Sequence, residues 1–392
     1  VSHAHADHTG RLPKLIRDGF RGKIYMTPPT RPLARLILED SFHIMQGNHE
    51  REGHDMLFTR EDVDMVMPQV VTKNYHEMFE PLPGVTVMYH DAGHILGSAY
   101  ISVDIDGQRI VFSGDMGNNE TPILPDHEPI SHADYIISES TYGDRNHETA
   151  DERRGLLRTA LIDTVRKKGV LMIPAFSIER TQELLYELDQ ILLKDIATDI
   201  PIFLDSPLAI KATAAYRHYQ NFLLFNAPIL DEPDRDFFSF PNLRETVNSE
   251  ESKAILGLKG PKIVIAGSGM MSGGRIMHHL INYLPSADNH LLIIGYQAHG
   301  TLGRRLYEGT SQVRIYGQEV GVQAKVSAIG SFSAHADQRQ LDRWLIPEDQ
   351  MKPKKIFLVH GDEEVKSVFA EHIRGTHGAE VVIPEFQSVH EL

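Results

Sequence analysis

Three histidines and an aspartate stand within six positions in Ser2-His3-Ala4-His5-Ala6-Asp7-His8. The residues between them are alanines, too small to crowd a site. In an extended backbone His3 and His5 project to the same side. Asp7 and His8 are adjacent and project to different places. The arrangement suits two neighbouring metals, with a pair of imidazoles for the first and a carboxylate plus an imidazole for the second. Such donors fit zinc, and manganese or iron less well. His94 and Asp115, in Gly93-His94 and Gly114-Asp115, each stand beside a glycine that permits a tight turn. They add a third histidine and a carboxylate able to bridge two metals. His360 closes a late apolar run beside Gly361 in the same way. The isolated His43, His49, His54 and His76 are expected to be structural or solvated.

The elements that must position these groups follow from patterning. A helix is expected near residues 11–16 with Pro13 in its first turn, where a missing N–H costs little. A strand is expected at 23–26, a helix at 31–46, and a capping-box start at Thr59 with Asp62. From residue 85 the pattern turns to strands, with a hairpin around Asp106-Gly107. A short strand at 135–138 ends at Glu139. Beyond it, strands at 170–174, 201–204, 262–266 and 291–294 alternate with helices, the mark of a parallel α/β domain. Residues 225–241, rich in Pro and Asp, read as a loop or lid. A helix near 338–345 and a final strand at 356–359 complete the chain. The glycine turn 267–275 lies between a strand and a helix, and its N–H groups suit a phosphate. Arg275, together with Arg304 and Arg305 beside a second glycine turn, are the candidate phosphate contacts.

Composition bounds the function. The chain has 392 residues, 41% hydrophobic and 24% charged, the balance of a soluble globular protein of two or three domains. No run is long and apolar enough for a membrane span. Cysteine is absent, which excludes disulfides and thiolate metal sites and points to a reducing cytoplasm. With 39 Lys plus Arg against 54 Asp plus Glu, the net charge of -15 opposes non-specific coating of nucleic acid. A polyanion must be held by a local basic groove and by metals. A metal-binding fold rarely begins on its own ligands, so strands upstream of Val1 are expected to be missing from this sequence.

The order His-x-His-x-Asp-His, Gly-His, Gly-Asp and a histidine after a late strand resembles the metallo-β-lactamase superfamily. Further motifs narrow this to its β-CASP branch: Glu139-Ser140-Thr141-Tyr142-Gly143, Pro174-Ala175-Phe176-Ser177, Ser268-Gly269-Met270-Met271, Ser331-Phe332-Ser333-Ala334-His335 and Val359-His360-Gly361. Within the branch they are most similar to the endonuclease subunit of the pre-mRNA 3′-end cleavage factor and its prokaryotic relatives. The resemblance spans essentially the whole chain. It implies an αββα metallo-β-lactamase sandwich (1–143 and 331–392) interrupted by an inserted α/β β-CASP domain (144–330), with the active site between them. It implies two Zn2+ per chain, one held by His3, His5, His94 and Asp115, the other by Asp7, His8, Asp115 and His360. Glu139 then orients His335, the general acid, and Asp7 joins them in the catalytic set because its loss removes metal and cleavage together. The implied activity is internal hydrolysis of single-stranded RNA, leaving 3′-hydroxyl and 5′-phosphate ends.

Four rivals compete. A small-molecule hydrolase of the superfamily does not account for the long insertion between Asp115 and His360. DNA nucleases of the branch usually carry valine at the position of His360. A 5′-to-3′ exoribonuclease resembling RNase J usually differs around His335. Non-catalytic family members tend to lose ligands, and all seven stand here. The RNA, its sequence context and any homo-oligomer are left open.

Overall fold

The structure, a computed structural model, describes residues 1–119, 121–194, 199–224, 236 and 238–392. Its strands in chain order are β1 (Ile24–Met26), β2 (Val70–Thr72), β3 (Phe79–Leu82), β4 (Val85–Asp91), β5 (Ala99–Ile105), β6 (Gln108–Phe112), β7 (Tyr135–Ser138), β8 (Val170–Pro174) and β9 (Ile202–Asp205). Then come β10 (Leu243–Glu245), β11 (Lys262–Ala266), β12 (His290–Ile293), β13 (Gln312–Ile315), β14 (Gln318–Gly321), β15 (Lys325–Ala328), β16 (Lys355–Leu358) and β17 (Val381–Val382).

Seven strands form a mixed sheet in the order β17-β16-β7-β6-β5-β4-β3. Pairing is antiparallel from β3 to β6 and parallel from β6 through β7 and β16 to β17. It follows that β4, β6, β7 and β16 run the same way, and the segments leaving them emerge at one edge. The β5–β6 hairpin turns where expected. Asp106 and Gly107 have φ of 51° and 76°, the two positive values a two-residue hairpin turn of this kind requires.

The second sheet is six-stranded and wholly parallel, β10-β9-β11-β8-β12-β15, and its strands fall between β7 and β16 in sequence. Helices Arg180–Lys194, Pro207–His218 and Ile276–Tyr283 alternate with these strands. The residues of β8, β9, β11 and β12 are all buried, the continuous apolar pattern of a sheet covered on both faces. Their side chains alternate between two cores. Leu171, Ile173, Ile263 and Ile265 join one, and Val170, Met172, Val264 and Ala266 join the other. The first of these cores continues into the amino-terminal region through Ala4, Leu33 and Leu96, so the two sheets share apolar packing.

Local signals placed several helices closely. Leu12–Arg17 carries its proline in the first turn. Arg60–Asp64 has the Thr59–Asp62 capping box, and Gln338–Leu345 is capped reciprocally by Asp337 and Gln340. The helix expected at 31–46 runs further, Thr30–Glu52, and stops only at Gly53 in the left-handed region. Most of the expected lid at 225–241 lies outside the described residues. Among the described residues no helix is long and apolar enough to cross a membrane.

Candidate active site

A cleft of about 710 Å3 opens where the segments leaving the two sheets meet. One wall comes from the seven-stranded sheet and the amino-terminal segment, with His5, Asp7, His94, Asp115 and His360. The other is built by Phe176, Ser177, Arg180, Ser268, Gly269 and Tyr296, all following strands of the parallel sheet. Pockets at the carboxyl ends of parallel strands are the general rule for open α/β sheets.

His3 and His5 reach the cleft on a stretch tied to β5 by the Ala99 N–H donating to Ser2 O at 2.8 Å. The chain then curls into a helical turn, Ala6–Thr9, which turns Asp7 and His8 towards a second centre. His94 follows β4, Asp115 follows β6, Glu139 follows β7 and His360 follows β16. Four co-directional strands therefore deliver four functional groups to one edge. Gly93 and Gly114 make the two tight exits, at φ of 64° and 56°. A side chain at Gly93 would also collide with backbone at 125–127, and one at Gly114 with Ser2. His360 itself adopts φ 40°, a left-handed conformation that costs a non-glycine residue about 1 kcal/mol or more, and its ring joins the cluster.

The donor atoms fall into two groups. In the first, His5 Nδ1 lies 3.2 Å from both His3 Nε2 and His94 Nε2, and Asp115 Oδ2 lies 3.4 and 3.6 Å from the same two nitrogens. Four ligands at zinc bond lengths stand about 3.3 Å apart in a tetrahedron, so the spacing is that of a tetrahedral site. In the second, His8 Nε2 lies 3.2 Å from Asp115 Oδ1 and 3.6 Å from Asp7 Oδ2. His360 Nε2 lies 3.7 Å from Asp115 Oδ1 and 3.8 Å from Asp7 Oδ2. Asp115 thus turns one oxygen to each group.

These residues fit a pair of cations. His8 Nε2 and Asp115 Oδ1 are buried without a hydrogen-bond partner despite their proximity, a costly state for polar atoms unless a further group lies between them. Burial, partly offset by Asp115, pulls His3 well below the ordinary imidazole range and His5 to about 4. Burial, reinforced by neighbouring imidazoles, does the same to His94. Neutral imidazole is the ligating form. The rings are also oriented from behind. His94 Nδ1 donates to Ala334 O at 3.1 Å, which fixes Nε2 as the free lone pair.

Beside the first group, His335 Nδ1 lies 3.0 and 3.2 Å from the two oxygens of Glu139. Glu139 is fully buried and its carboxylate accepts from the Met116 N–H at 2.6 Å. Burial alone would lower the His335 pKa, but the Glu139 charge and hydrogen bond outweigh it and hold the imidazole at about 9.

The structure brings His3, His5, Asp7, His8, His94, Asp115, His360, Glu139 and His335 together, and separates the three arginines from them. Neither Arg275, Arg304 nor Arg305 lines the cleft. Arg275 Nη1 donates to the buried Asp205 carboxylate at 2.7 Å and to Thr246 O at 2.9 Å, so it locks loops of the parallel sheet and does not serve as a free phosphate contact. Arg304 pairs with Glu308 at the edge of a second, neighbouring cavity, and Arg305 is exposed. The cation on the cleft wall is Arg180, which the sequence reading passed over. Its Nη1 is held by Glu183 and by Phe332 O, while Nε and Nη2 are buried with no partner. Arg180 starts a helix three positions after the Pro-Ala-Phe-Ser motif, and that position was the available signal.

Residues 181–306 match the Beta-Casp domain, and residues 319–384 match the Zn-dependent metallo-hydrolase RNA specificity domain. The chain is 36% identical over 386 residues to Ribonuclease TTHA0252 of Thermus thermophilus, covering 98% of this chain and 86% of that protein. It is 32% identical to the RNase J-like protein of Methanocaldococcus jannaschii, covering 94% of this chain and 82% of that one. It is 33% identical to Transcription termination factor FttA of Pyrococcus abyssi, covering 93% of this chain but only 57% of that longer protein. The chain has the metallo-β-lactamase fold with an inserted β-CASP domain, and it belongs to the β-CASP family of RNA nucleases within the metallo-β-lactamase superfamily.

Proposed function

We propose that the protein is a two-zinc endoribonuclease that cuts single-stranded RNA in the cleft between its two sheets. The observation that carries this reading is Asp115, with one oxygen in each donor group, standing next to the Glu139–His335 pair. His3, His5 and His94 with Asp115 would hold one ion, and Asp7, His8 and His360 with Asp115 the other. When bound, such a pair supplies an acidified water as nucleophile and charge stabilisation of a phosphoryl oxygen.

The chain's own residues account for the remainder. Glu139 holds His335 through Nδ1, which leaves Nε2 to carry the proton handed to the departing sugar oxygen. With a pKa of about 9 the imidazole is charged at neutral pH, as a general acid must be. Arg180 lines the cleft with two nitrogens left unpartnered beyond its Glu183 pair, and is the cation offered to a phosphate of the strand. Tyr296 on the same wall offers an aromatic surface for a base. RNA as substrate is supported by the matched RNA specificity domain and by relatives named as ribonucleases. A cytoplasmic location fits the absence of cysteine.

A duplex about 20 Å across is poorly suited to a cleft of this kind, whereas one strand can thread in. The test is one end-labelled RNA offered alone and annealed to its complement, with and without chelator. Internal products from the single strand only, lost with chelator, support the reading. Equal rates on both forms would remove the threading argument. Mononucleotides released from one end would favour the 5′-to-3′ exonuclease, and preference for the matching DNA strand the DNA nuclease.

A further inference from the structure

Away from the cleft, three residues widely separated in sequence meet on the seven-stranded sheet. His76 follows β2, His90 lies in β4, and Glu128 belongs to the segment between β6 and β7. His76 Nε2 lies 3.0 Å from Glu128 Oε1, and His90 Nδ1 lies 3.6 Å from Glu128 Oε2. One donor atom from each falls within 4.8 Å of the others. These spacings resemble the 3.2–3.6 Å separations among His3, His5, His94 and Asp115. None of the three lines the cleft.

The His90 side chain is held from behind, and His76 and Glu128 are fixed through their backbones. The His90 ring stacks on Tyr100, with centroids 4.5 Å apart and planes 6° apart, and its Nε2 lies 3.0 Å from Ser102 Oγ. That contact occupies Nε2 and leaves Nδ1 for the carboxylate side. The His76 backbone N–H donates to Tyr89 O at 2.9 Å, and the residue sits at φ 61°, a left-handed region in which asparagine, aspartate and histidine are the favoured non-glycine residues. The Glu128 N–H donates to Asp91 O at 2.9 Å, and its carbonyl accepts from Trp344 Nε1 at 3.1 Å. A partner that fixes tautomer and ring orientation, as Ser102 and Tyr100 do for His90, is the ordinary surrounding of a ligating imidazole.

We infer that His76, His90 and Glu128 form a second, structural metal site for a zinc-type divalent cation. Two imidazoles and a carboxylate are a three-ligand zinc donor set, and His76 is 59% exposed, so water completes the shell. An ion there pins three pieces of the site's framework: β4, which ends just before His94, the loop ahead of β3, and the segment that follows Asp115. The competing arrangement, two imidazole N–H groups donating to one carboxylate, binds no metal.

The experiment counts zinc in the full chain after equilibration with zinc and desalting. Wild type is compared with His76→Asn, chosen because asparagine tolerates positive φ, and with the isosteric Glu128→Gln. Each variant should hold about one equivalent less than wild type, cleave single-stranded RNA within about twofold of it, and lose part of the thermal stabilisation that zinc confers. An Asp115→Ala background separates this site from the cleft. Zinc retained by Asp115→Ala should disappear when His76→Asn or Glu128→Gln is added. Equal zinc content in wild type, His76→Asn and Glu128→Gln would overturn the inference, whatever the cleft holds. If His76→Asn does not fold, Glu128→Gln decides alone.

Discussion

Replacing Glu139 by glutamine keeps the shape of the buried partner of His335 and removes its charge. Burial alone pulls the His335 pKa below the ordinary imidazole value of about 6.5, so the held value of about 9 rests chiefly on Glu139. The raised value means the charged acid is present below about pH 9 and is lost above it. In Glu139→Gln the loss should instead occur at or below about pH 6.5. At pH ~7.5 the charged fraction then falls from about 0.97 to about 0.1 or less, roughly a tenfold loss of competent enzyme. Bound cations beside Asp115, which lies 4.0 Å from His335 Nδ1, shift both values down without changing their order. The assay is the pH profile of kcat on labelled single-stranded RNA at saturating zinc, with metal content measured in parallel. The descending limb should move down by about 2.5 pH units or more in Glu139→Gln, and His335→Ala should lose about 10²–10⁴-fold at neutral pH with its metal intact. A nitrophenyl phosphodiester, whose leaving group needs no proton, should be hydrolysed nearly as fast by His335→Ala as by wild type. An unmoved limb, or equal losses on both substrates, would refute the assignment of His335 as general acid.

Metal content in the Glu128→Gln background, where the cleft alone is counted, should be about two zinc per chain, and Asp115→Ala should reduce it towards zero; a ratio near one in active protein contradicts the shared carboxylate. Arg180→Met should raise KM for RNA about 10–100-fold, the value of one charge-assisted hydrogen bond, with Arg180→Lys recovering part of it. A purely structural role for Arg180 would lower the thermal midpoint without moving KM. Arg275→Ala should do the reverse, costing about 1–3 kcal/mol of stability because the buried Asp205 carboxylate keeps only His279, Ser252 and Thr246 as partners, while KM stays unchanged. Because the net charge is -15 and few cations line the cleft, RNA affinity should fall only gently as salt rises; a slope equivalent to many phosphates would point to a basic surface elsewhere.

Much of this site was legible because its signals are local. Four ligands lie within six positions, and His94, Asp115 and His360 sit in strand–glycine turns whose chemistry is carried by adjacent residues. The continuous apolar strands between residues 170 and 294 announced a covered parallel sheet for the same reason. The capping box at Thr59 opened its helix where its own neighbours said it would, and the helix near 338–345 stands as expected, with Asp337 as its N-cap.

What stayed hidden depended on contacts across long stretches of chain. The Gly-Arg turn at Arg275 has the local features of a phosphate site, but Asp205, 70 positions earlier, claims the guanidinium. Arg180 has the local look of an ordinary helix start, and only the fold brings it to the cleft wall with two buried nitrogens left unpartnered. His76, His90 and Glu128 are each unremarkable in sequence, and only the docking of two loop segments against β4 brings them within reach of one another. Sequence determined the donor types and the turns that present them, because a turn depends on a few neighbouring residues. Tertiary structure decided which partner each buried charge takes and which charged groups line the cleft, because a buried ion pair is set by whichever partner the fold brings nearest.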